Sequence, residues 1–135
     1  MKFHKLHFDL NGMENLKIKI ISFENNLVDN YKMISFGVDA ENPQKYLILQ
    51  RTLFPDEQDI YLGLDGYYLE INDQSNSGYS VCDKVILKDN SLTFYFNKKF
   101  EVDNLVLDLS ETFYDKENLN EYLFYILKDV LAVEK

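Results

Sequence analysis

Residues 46–71 read YLILQRTLFPDEQDIYLGLDGYYLEI, and the two ends of this stretch decide the fold. At its far end Tyr67, Leu69 and Ile71 alternate with Tyr68 and Glu70. That period of two predicts a strand that buries the first three side chains and turns the other pair outward. The near end, YLILQRTL over 46–53, begins apolar on both faces, as expected of a central strand or one covered on both sides. Between the two lie Pro55, the acids Asp56, Glu57 and Asp59, and the turn glycines Gly63 and Gly66. A polar, glycine-bearing connection between two strands of this kind reads as a solvated turn.

The same alternation recurs outward in both directions. It runs through 3–10, 16–20 and 32–38 upstream and through 104–109 downstream, and 84–88 and 92–96 read as two further strands. Asp89-Asn90-Ser91 forms a short polar connection of the hairpin type between two of these runs. The period then changes: Leu119, Tyr122, Leu123, Ile126, Leu127, Val130 and Leu131 fall at helical spacing, predicting an amphipathic helix over 116–133. Asp115 is its candidate N-cap, and Glu117 sits where the helix dipole favours negative charge. The expectation is an α+β fold with a curved, mainly antiparallel sheet of about seven strands, one face covered by the C-terminal helix. With 135 residues and no Pro/Gly linker or internal repeat, 1–135 is expected to be a single domain.

Composition excludes several classes of function. At 46% hydrophobic and 15% aromatic the chain has ample material to bury and is not disordered. A net charge of -9 argues against nucleic acid and anionic membrane as partners, because phosphate binding depends on clustered Lys and Arg. The charge is unevenly placed: between Arg51 and Lys84 stand seven acids (Asp56, Glu57, Asp59, Asp65, Glu70, Asp73, Asp83) and no base. Such a surface attracts a basic partner and speeds the encounter with it. Residues 1–10 lack an apolar run of signal-peptide length, and no later stretch approaches the ~18 residues of a membrane span, so a cytoplasmic location is expected. The lone Cys82 excludes an intrachain disulfide and reads as a small packing residue.

Candidate chemistry is thin. Asp56-Glu57-Gln58-Asp59 and the oxygen-rich 72–78 suggest metal loops, yet neither carries the ligand spacing of a calcium site, and Lys84 stands where a bidentate glutamate is needed. Pro55-Asp56 followed by Glu70-Ile71-Asn72 approximates a metal-dependent nuclease motif, with Asn72 in the place of the required lysine. His4 and His7 fall on opposite faces of a predicted strand and offer no shared catalytic site. No glycine-rich phosphate loop is present. No cofactor, metal or catalytic residue is therefore assigned.

The run 46–80 also resembles the central signature of the bacterial immunity protein 10 family. The matching pieces are Leu49-Gln50-Arg51, the Asp56-Glu57-Gln58-Asp59 turn, Leu62-Gly63 with Asp65, Tyr68-Leu69-Glu70, and Asn72-Asp73-Gln74 followed by Tyr79. Ser80 and Val81 stand where relatives carry a further glycine. The later strands and the closing helix follow the family layout loosely. The resemblance implies a non-enzymatic antidote encoded beside a polymorphic toxin used in bacterial competition, which binds that cognate toxin and blocks it. Acids and tyrosines together are good interface material, and a nuclease-like toxin is itself basic. The candidate partner-binding residues are Asp56, Glu57, Asp59, Asp65, Tyr68, Glu70, Asp73 and Tyr79. The alternatives are a metal-dependent hydrolase using Asp56 and Glu70, and a generic ligand-binding β domain. The signature also admits an architectural reading, in which Asp65 and Asp73 cap turns, Gln50 or Gln74 satisfies backbone groups and Gly63 supplies positive φ.

Overall fold

The computed structural model describes residues 15–38, 45–97 and 103–134. The strand expected at 3–10, with His4 and His7, lies outside them. The fold is α+β, and the described residues form ten strands in two five-stranded sheets where the sequence predicts about seven in one. One sheet is β2 (Ile20–Asn26), β3 (Tyr31–Gly37), β4 (Tyr46–Thr52), β5 (Tyr67–Ile71) and β6 (Asp73–Tyr79), an antiparallel meander in chain order. The other has β1 (Asn15–Lys17), β9 (Asn104–Asp108), β8 (Ser91–Phe96), β7 (Cys82–Lys88) and β10 (Leu131–Glu134) side by side in that order. Its centre is antiparallel, whereas β1 on β9 and β10 on β7 are parallel edge pairs.

The predicted strand 16–20 is interrupted, and the interruption explains the second sheet. The Ile18 amide donates to the carbonyl of Asp108, the last residue of β9, and the next amide, Lys19, donates to the Gly37 carbonyl of β3. One peptide step thus carries the chain from one sheet to the other, with the Ile18 side chain fully buried. Glu111 returns over this crossing to bond Lys19 and Lys17, while the Thr112 hydroxyl donates to the Lys19 carbonyl. The hydrogen bonds from these two ammonium groups hold the Glu111 carboxyl down at about 2.

The inward alternation of both sheets and the stripe of helix α2 (Lys116–Ile126) fall into one buried cluster. Ile34, Phe36, Leu47, Leu49, Tyr67, Leu69 and Ile71 enter it from the meander, and Leu92, Phe94, Leu105 and Leu107 from the other sheet. Asp115 caps α2 as predicted, accepting from the Glu117 and Asn118 amides. The helix is shorter than the periodicity of 116–133 suggests. Arg51, on the core face of β4, donates to the Ile126 carbonyl at 2.9 Å and to Asp129 Oδ2 at 3.1 Å. The Val130 carbonyl accepts from the Val85 amide, and 131–134 then pair with β7 as β10. A strand edge offering a full ladder outcompetes one more helical turn here.

Two connections also differ from expectation. The oxygen-rich 72–78, which shows no strand alternation, supplies most of an edge strand, β6; Asn72, at φ 61, makes the tight turn before it and accepts from the Tyr46 amide through its side chain. Short polar side chains suit an edge that must not recruit further strands. The acid-rich connection contains a one-turn helix, α1 (Glu57–Tyr61). Among the described residues, no helix is long and apolar enough to cross a membrane.

Candidate partner-binding surface

Helix α2 lies over the inner face of the meander, where Tyr122 meets Phe23 and Lys32 lies over the Tyr122 ring. Among the described residues, no element covers the outer face. Strand alternation sends Tyr46, Ile48 and Gln50 of β4, Tyr68 and Glu70 of β5, and Ser77 and Tyr79 of β6 to that side. All of these are partly exposed.

Register brings four of them into one cluster. Glu70 stands opposite Ile48, so Tyr46 reaches it diagonally across the strands. The Tyr46 hydroxyl donates to Glu70 Oε2 at 2.5 Å and the Tyr68 hydroxyl to Oε1 at 2.6 Å. Tyr79 stands opposite Tyr68, the two rings 5.3 Å apart and tilted by 57°. Burial first, and then the Glu70 carboxylate, raises the Tyr46 and Tyr68 hydroxyls above the ordinary phenol value. The result is a carboxylate held at fixed height among tyrosine rings, a rigid surface needing little ordering to bind. Alternation of 67–71 predicts the outward pair Tyr68 and Glu70, and the structure buries Tyr67, Leu69 and Ile71 behind them. Tyr46 is missed by sequence reasoning because 46–53 reads as apolar on both faces.

The remaining candidates are spread along the meander. Asp73 sits at the β5–β6 turn, its Oδ1 accepting from the Ser75 amide at 3.0 Å. Asp65 is half-buried ahead of Gly66, where an added Cβ would lie 2.5 Å from Ser80 Oγ. Ser80 itself adopts φ 53, in the left-handed region where a glycine would be unstrained.

Asp56, Glu57 and Asp59 belong to α1. Asp56 is its N-cap and accepts from the Asp59 amide at 2.8 Å, while Asp59 accepts from the Asp56 amide at 3.1 Å, a complete capping box. At the other end the Leu64 amide donates to the Asp59 carbonyl and the Gly63 amide to that of Ile60, with Gly63 at φ 75. These two bonds are a Schellman closure. The helix buries none of its own residues, so local backbone chemistry alone holds it. The Asp-x-x-Asp spacing ahead of an apolar run was the signal for this cap. Asp56→Ala is expected to cost about 1 kcal/mol of local stability. Hydrogen exchange should show it as faster exchange of the α1 amides with the core strands unchanged.

The hydrolase alternative needs Asp56 and Glu70 on one metal. Glu70 stands opposite Ile48, whereas Asp56 follows Thr52, which is already about 13 Å farther along β4 at ~3.3 Å per residue. Among the described residues, no three His, Cys, Asp or Glu side chains are grouped to hold a metal ion.

The chain matches no curated protein and no solved structure. The family model described as Immunity protein 10 matches residues 17–114, reaching well beyond the 46–80 signature on both sides and ending before α2. With every strand from β2 to β9 inside that match, the chain belongs to the Immunity protein 10 family.

Proposed function

We propose that this protein neutralises a cognate bacterial toxin by binding it through the outer face of the meander and occluding its active or substrate-binding cleft. Family membership carries the reading. The outer face supports it with chemistry suited to a basic, nuclease-like toxin: Glu70 fixed between Tyr46 and Tyr68, Tyr79 beside them, and Asp65 and Asp73 on the adjoining turns. Tyrosines bring contact area at small entropic cost, and the carboxylates bring encounter rate and specificity. The function is binding rather than catalysis, it uses no cofactor, and it takes place in the cytoplasm, where the toxin acts.

The test is growth of cells making the toxin encoded beside this gene. The wild-type chain is expected to protect them. Tyr68→Ala combined with Glu70→Arg is expected to abolish protection while leaving the thermal midpoint within a few degrees, since both side chains lie outside the core. Full protection by a folded double variant removes the outer face from the interface.

A further inference from the structure

We propose that the α1 end of the meander is a second, apolar anchor for the same partner: a protein surface with a hydrophobic recess ringed by basic side chains. The inference rests on the toxin-binding reading. Its basis is the concentration of exposed apolar residues on two adjoining loops. Leu27 and Val28 of the β2–β3 turn are 71% and 93% exposed, and Phe54 and Tyr61 are 74% and 88% exposed. Ile60 and Leu62 are also exposed. The loops are fastened together: the Asn30 side chain donates to the Phe54 carbonyl and accepts from its amide, both at 2.9 Å, and the Leu53 amide donates to the Asn30 carbonyl.

Isolated exposed apolar side chains are ordinary and need no explanation. Phe113, fully exposed on another loop, is one. The α1 end differs because a helix has been built there, with both termini closed, that contributes nothing to the core. Its closure fixes the display of Ile60, Tyr61 and Leu62 in advance, which lowers the ordering cost of contact.

Charge identifies the occupant. Asp29 stands on the same turn as Leu27 and Val28, Asp56, Glu57 and Asp59 stand on the same connection as Phe54, Ile60, Tyr61 and Leu62, and the stretch from Thr52 to Asp83 contains no lysine or arginine. The lysines of the inner face, Lys32 and Lys128, lie over the Tyr122 and Tyr125 rings. A second copy of this chain meeting the same patch about a two-fold axis would set these acids against themselves. A basic partner would be drawn in by them.

The experiment uses Phe54→Ala combined with Tyr61→Ala, and as binding probe the protein encoded by the adjacent toxin gene, carrying an inactivating substitution. Calorimetry should show binding weakened about 30-fold, with the thermal midpoint of the double variant within about 2 °C of wild type. Wild-type affinity in the folded double variant overturns the second anchor and leaves the toxin-binding reading standing. Failure of the wild-type chain to bind or protect overturns both. Concentration-dependent dimerisation that the double variant abolishes also overturns it, because the patch then serves a second copy.

Discussion

Replacing Arg51 with Ala is expected to lower the free energy of unfolding by about 3 kcal/mol. Arg51 is a charged side chain on the core face of a central strand, only 8% exposed, in the row that otherwise carries Leu47 and Leu49. Its guanidinium meets the end of α2: one nitrogen donates to the Ile126 carbonyl, another to Asp129. The last carbonyls of a helix have no partner within it and carry its negative pole, so a buried cation is favoured there twice over. Removing it leaves the Ile126 carbonyl short of a donor and opens a void between β4 and the helix. The ion pair itself contributes little, because the Asp129 side chain is 55% exposed. Asp129→Asn should therefore cost less than about 1 kcal/mol, and Arg51→Lys, which loses the planar fork, should fall between the two. Urea unfolding followed by circular dichroism measures all three. An Arg51→Ala variant as stable as wild type would falsify the capping role.

Tyr67→Phe is expected to cost about 2 kcal/mol although it removes a single oxygen. The Tyr67 hydroxyl accepts from the Cys82 amide at 2.8 Å and donates to the Cys82 carbonyl at 3.2 Å, deep in the core. Phenylalanine keeps the ring packing and strands both backbone groups without water to replace the hydroxyl. The pair also contributes to a loss of stability at alkaline pH. Burial raises the Tyr67 hydroxyl above its ordinary value and pushes the Cys82 thiol up to about 12 from 9.0. The folded protein keeps both protons where the unfolded chain releases them, so the stabilisation is complete below pH 9 and declines as pH rises toward 12. Unfolding free energies measured across that range should fall with pH, and the decline should be shallower in Tyr67→Phe. A flat profile in the wild-type protein would contradict this assignment.

Much of this architecture is legible in the residues because alternation is a local property. The phases of 67–71 and 104–108 follow from which side chains are apolar, and the outward direction of Tyr68 and Glu70 comes with them. What local pattern does not carry is competition between partners. Leu127, Val130 and Leu131 continue the helical stripe, yet the β7 edge and Arg51 end the helix at Ile126. Ile18 and Lys19 look like the middle of one strand, yet their amides serve different sheets. The strand 73–79 has no apolar period because it is a polar edge. At the candidate surface, the joining of Tyr46 to Glu70 depends on the register of β4 against β5, a pairing concealed by a separation of 24 positions along the chain. The two caps of α1 are local and were open to reading in the spacing of Asp56, Asp59 and Gly63.

The handover at Ile18 and Lys19 has a mechanical consequence. Two hydrogen bonds from consecutive amides tie the sheets to each other, so neither can slide along its neighbour without breaking a bond at that step. Glu111 and Thr112 clamp the same step from above. A load applied by a partner to the outer face of the meander is therefore borne by both sheets together, and the protein meets that partner as a rigid block rather than as a hinged pair of plates.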